Sequence, residues 1–135
     1  MLLPPAHTKT EVIEVVRITD PMRRLSSEDL AGDDVAIWGT AQADQVLTLV
    51  KGLPGSEVHR CFTPGWGIRA HSATDLLFQV AFCFRCHGAR LWGPRVPAAQ
   101  TGVHGFDPDS PPACELLERF RGSQTGCFKG LFQGR

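Results

Sequence analysis

A chain of 135 residues, 42% hydrophobic and 21% charged, with 14 glycines and 10 prolines, has the make-up of one turn-rich soluble globular domain. Fourteen basic and fourteen acidic side chains cancel, so no strong net field marks it as a general binder of polyanions. No stretch of eighteen apolar residues occurs, which excludes a helical membrane span, and "MLLPPAHTKTEVIEVV" carries no readable signal or transit peptide. The expected setting is therefore cytoplasmic, where thiols stay reduced.

Residues 1 to 9 read as a loose lead, and residues 10 to 122 as a single α+β domain. Thr10 onward, "TEVIEVVRIT", is rich in β-branched residues and reads as a strand ended by Asp20-Pro21. "SSEDLAG" offers Ser26 or Ser27 as a cap for one helical turn, and "DVAIWGT" reads as a short, largely buried strand. From Thr40 the period changes. Ala43, Val46, Leu47 and Val50 recur at i, i+3, i+4 and i+7, which predicts a helix stopped by Gly52 and Pro54.

Two extended runs then flank "HSAT", the pattern of a long β-hairpin, and "ARLW" continues the sheet as a brief strand. "GPRVPAAQTGVHGFDPD" reads as an irregular crossing. Ser110 and Pro111 open a second helix, with Ala113, Leu116, Leu117 and Phe120 as its buried stripe and Gly122 as its end. Residues 123 to 135 have no useful period and read as a flexible tail. These elements imply a mainly antiparallel sheet with a central hairpin and two main helices packed on one face.

Five cysteines suit no disulfide framework. A hairpin turning near Ser72 to Thr74 brings Cys61 opposite Cys83 and Cys86. The latter two have opposite parity along a strand, so the chain must bend between them for their sulfurs to meet, and Gly88 suits such a bend. Sulfurs gathered this way can bind zinc if a fourth ligand completes a tetrahedron; His87 is nearest, and His104 has the freedom of its loop, with His59 and His71 as other candidates. Three buried, reduced cysteines packed as small apolar residues compete with this reading.

"CFRCH", Cys83 to His87, also matches the c-type haem pattern. Its setting opposes haem: no export signal is readable, methionine stands only at Met1 and Met22, and the motif follows an aromatic strand. A thioredoxin-like dithiol needs the first cysteine to open a helix, and "HGARLWGP" is a poor helix. No GxSxG, P-loop, GxGxxG or HExxH pattern occurs, so a binding protein is expected more than an enzyme.

Charge is unevenly placed. Residues 1 to 57 carry nine acids against five basic residues, whereas residues 58 to 106 carry Arg60, Arg69, Arg85, Arg90 and Arg95 against Asp75 alone. Trp66, between Gly65 and Gly67, lies among those arginines. Trp66, Arg69, Arg85 and Arg90 are thus the candidate ligand-binding residues, with a nucleic acid or other polyanion as one partner class and a protein as the other. Asp107, Asp109 and the Asp33-Asp34 pair read as turn and capping residues.

"RCFTPGWGIRAHSATDLLFQVAFCFRCHGARLWG" followed by "GFDPDSPPACELLERFR" resembles a family of small uncharacterised bacterial proteins with a Cys-aromatic-x-Pro-x-x-Gly-Ile-Arg strand and a hairpin-end Cys-aromatic-x-Cys. The resemblance spans Arg60 to Arg121. It implies that Cys61, Cys83 and Cys86 belong together and implies no activity. The expected protein is a small binding or interaction protein whose three-cysteine cluster holds its fold and binds zinc. The alternatives are a thiol-dependent oxidoreductase using Cys83 and Cys86, or a polyanion binder.

Overall fold

The computed structural model describes residues 1–19, 30, 32–59 and 62–125, the last three without their side chains. The helical turn expected from Ser26, together with Arg60, Cys61 and Cys127, lies outside the described residues. The architecture is α+β. Six antiparallel strands form one sheet: β1 (Val12–Arg17), β2 (Asp33–Trp38), β3 (Trp66–His71), β4 (Leu76–Cys83), β5 (Gly88–Trp92) and β6 (Gly102–Gly105), in the order β2-β1-β3-β4-β5-β6. Two helices join it, α1 (Thr40–Lys51) and α2 (Pro111–Thr125).

The hairpin β3–β4 is the middle of the sheet. Ser72 closes its turn, accepting the amides of Thr74 and Asp75 on its hydroxyl and donating its own amide to the Asp75 carbonyl. In β4 all residues but Leu76 are buried, which is why its sequence is a nearly unbroken apolar run. Alternation then assigns side chains to two faces. Ile13, Val15, Ile68, Ala70, Phe78, Val80, Phe82, Ala89 and Leu91 belong to one core cluster. That cluster also holds Ala43, Val46, Leu47 and Val50 of α1, and Ala113, Leu116 and Phe120 of α2. The stripe anticipated for α1 is the buried one, whereas Leu117 of α2 is only half-buried.

Phe120 is the centre of the cluster. Its ring stacks on Trp38 of β2 (centroids 6.0 Å apart) and on Trp66 of β3 (5.5 Å), and meets Phe82 at 5.5 Å and Phe84 at 6.4 Å. Such pairs add to the area that aromatics bury. Four elements thus converge on one side chain.

The second face carries a smaller cluster of Val16, Ile18, Leu30, Ala81 and Trp92, with Phe62 packed against it. Leu30 is held there through its backbone. Its amide donates to Gln79 Oε1 (3.1 Å) and its carbonyl accepts from an Arg69 guanidinium nitrogen (2.6 Å). Gly67 lies beneath it, and a methyl group there would sit 2.8 Å from the Leu30 side chain.

Four local readings need revision. The strand expected to be largely buried, β2, is an edge strand with only Trp38 buried and Ile37 70% exposed. The crossing expected to be irregular contains a 3-10 turn (Ala98–Gln100) and β6, held by backbone pairing to β5. Helix α2 runs past Gly122 to Thr125. The lead residues contain a 3-10 helix (Pro5–Lys9), and Leu3 is buried in the main core.

Replacing Phe120 by alanine is expected to cost about 3–5 kcal/mol, the range for deleting a fully buried aromatic. Urea unfolding followed by tryptophan fluorescence measures it; a loss under about 1 kcal/mol would mean that the ring is not a core residue.

Candidate functional site: a buried Cys-x-x-Cys turn beside a cleft

Strand β4 ends at Cys83, a four-residue turn follows, and β5 begins at Gly88. The Cys83 and Cys86 Sγ atoms lie at disulfide distance, with their Cα atoms 5.2 Å apart. Both residues are buried, 1% and 2% exposed. Alternation alone would send them to opposite faces, so the chain bends between them. The turn spans residues 84–87, and its left-handed residue is His87 (φ +58°), while Gly88, the residue expected to bend, is already in the strand. A left-handed backbone costs a non-glycine residue roughly 1–2 kcal/mol.

Two backbone amides point at the sulfurs. The Cys86 amide donates to Cys83 Sγ at 3.2 Å, and the Thr63 amide donates to Cys86 Sγ at 3.5 Å. The Thr63 hydroxyl is 3.9 Å from each sulfur. The chain before Thr63 is fastened to the same turn: the His59 amide donates to the Cys86 carbonyl (2.8 Å), and the His59 and His87 rings stack with centroids 4.0 Å apart. Both sulfurs thus accept backbone hydrogen bonds within a buried turn.

Of the residues singled out in the sequence, Cys83, Cys86 and His87 are brought together, and Cys61 lies outside the described residues. His104 is not part of the group. It pairs with Ala89 on β5, so alternation sets it on the face opposite to Cys83, and its Nε2 is 2.6 Å from the Gln100 carbonyl. Among the described residues no group of three or more His, Cys, Asp and Glu side chains is placed to hold a metal ion. His59 was weighed only as one of several ligands; what distinguishes it is its amide bond to Cys86, a signal that spacing does not contain.

The candidate ligand-binding residues divide between two places. Arg69 lies on the second face, where it meets Asp34 (3.1 Å), Glu14 (3.6 Å) and the Leu30 carbonyl; His71 shares Glu14 at 2.7 Å. Arg90 stands over the Trp92 ring at 4.7 Å. These two cations belong to the protein's own fabric. Trp66 and Arg85, by contrast, line a cleft of about 560 Å³ between the cysteine turn and α2. Trp66 is stacked on Phe120 and approached by Arg17 at 6.0 Å, so most of its ring serves packing. Asp107 acts as a turn residue, accepting the Asp109 amide on its carboxylate.

No helix among the described residues is long and apolar enough to cross a membrane. No protein-family model, no curated protein and no solved structure matches the chain.

The bend at His87 gives a direct test. His87→Gly and His87→Val both lose the stack on His59, but only valine pays for the left-handed backbone. The valine variant is expected to be less stable by about 1–2 kcal/mol in urea unfolding. Equal midpoints would place the bend elsewhere.

Proposed function

We propose that this chain is a small binding protein whose Cys83–Cys86 turn, together with Cys61, is a structural clip that takes zinc. The observation that carries the reading is the pair of amide-to-sulfur bonds, Cys86 to Cys83 Sγ and Thr63 to Cys86 Sγ, inside a buried turn. A thiolate accepting amide hydrogens is a better metal ligand than a bare thiol. In sequence Cys61 stands between His59 and Thr63, both of which hydrogen-bond to Cys86. That supports it as the third ligand, and His59 or His87 as the fourth. His104 is no longer favoured, because its ring nitrogen is engaged by Gln100. The clip would fix the end of the hairpin against residues 59 and 63, and a cytoplasmic setting would keep its thiols available to metal.

A second reading, a thiol oxidoreductase, draws on the disulfide distance between Cys83 and Cys86. Their burial weighs against it, since a nucleophilic thiolate has to be reached by its substrate. The polyanion reading loses ground because Arg69 and Arg90 are engaged on the second face. The resemblance to small bacterial proteins adds no chemistry beyond the cysteine grouping.

Elemental analysis and thiol titration of the chain purified under reducing conditions distinguish these readings. The clip predicts stoichiometric zinc, loss of that zinc in Cys83→Ser, and a lower melting temperature with chelator. A metal-free protein whose Cys83 and Cys86 form a reversible disulfide would favour the dithiol. Metal-free protein with all thiols titrating and no chelator effect would end the zinc reading.

A further inference from the structure

We propose that the cleft between the cysteine turn and α2 binds a small organic monoanion with a flat apolar body, such as an aromatic carboxylate. Three observations converge on it, none of which depends on metal at the cysteine turn. The first is size: about 560 Å³ lies within the range of small-ligand pockets. Its wall is also aromatic, with Trp66, Phe82 and Phe84 contributing to it.

The second is a guanidinium with nothing to bind. Arg69 and Arg119 hold carboxylates, whereas Arg85, exposed and lining the cleft, holds no hydrogen bond or ion pair among the described residues. Its planar fork matches a carboxylate. A guanidinium next to an aromatic wall suits a ligand that is anionic at one end and flat at the other.

The third is the opposing charge. Asp109, exposed in the lead to α2, lines the other side of the cleft and makes no carboxylate hydrogen bond or ion pair among the described residues. With Arg85 and Arg121 in the lining against Asp109, the cleft carries one formal positive charge, which a single anionic group balances. The site therefore suits a monoanion better than a phosphate ester or a nucleic-acid strand.

The test titrates the full chain with 1-naphthoate and with its neutral counterpart 1-naphthamide, by calorimetry and by tryptophan fluorescence. The titrations are run in reducing buffer, with and without zinc. Saturable binding of naphthoate, with naphthamide and Arg85→Ala each weakening it roughly tenfold or more, is the expected result. Arg95→Ala, on another part of the surface, should leave it unchanged. An unchanged melting curve for Arg85→Ala, whose side chain is exposed, confirms that the variant is folded. Absence of saturable naphthoate binding, equal affinity for the amide, or an unaffected Arg85→Ala variant would each overturn the proposal. Naphthoate binding in metal-free protein would leave it standing while the zinc clip failed.

Discussion

The contact on which the architecture depends is the meeting of Phe120 with aromatic rings from three strands and the turn beyond β4. Helix α2 is tied to the sheet at this point: Trp38 reaches it from the edge strand, Trp66 and Phe82 from the hairpin, and Phe84 from the turn between the cysteines. Phe84 and Phe82 also meet Phe106 edge-on, which brings in the lead to α2. The rings that meet Phe120 also line the cleft, because Trp66, Phe82 and Phe84 contribute to both. Fold and site use the same side chains.

The two core clusters are held by different physics. In the larger, apolar residues of the sheet and of both helices are buried together, and burial of apolar area supplies the stability. The smaller includes Leu30, whose backbone groups need partners. Gln79 and Arg69 satisfy the amide and carbonyl of Leu30, and Glu14 and Asp34 neutralise the guanidinium that does so. Arg69 of the basic middle thus meets acids of the first half of the chain. Arg85 departs from that pattern: it lies on the turn and pairs with no acid among the described residues.

Where the sequence was legible, a periodic pattern and a single local cause coincided. Helix α1 was readable because Ala43, Val46, Leu47 and Val50 repeat with helical spacing and Gly52 stops them. The hairpin was readable because β-branched and aromatic runs flank a polar turn. Strand β6 was not, because "GVHG" has no alternation and exists only through pairing with β5. The edge position of β2 depended on strand order, which local pattern does not encode. The need for a turn at the cysteines is legible, but its left-handed residue is His87 and not the expected Gly88, since a left-handed histidine is selected by its surroundings and not by its propensity. The cleft combines residues from β3, the turn after β4 and α2, and no spacing in the chain announces such a combination.

Strand β1 lies between β2 and β3 in the sheet, although all of α1 and the segment after it separate β2 from β3 along the chain. Strands β3, β4 and β5 form a meander of short-range contacts. The β1–β3 seam, by contrast, has to close a long loop before any of its bonds form. Folding is therefore expected to begin in the meander and to be paced by that seam. Pulse-labelled amide exchange would report it as early protection in β4 and β5 and late protection in β1, and simultaneous protection throughout would refute it. Until the seam closes, β3 offers an unpaired edge to any other chain, so the order of strands that sets β1 between β2 and β3 also fixes the interval in which the molecule is most open to association.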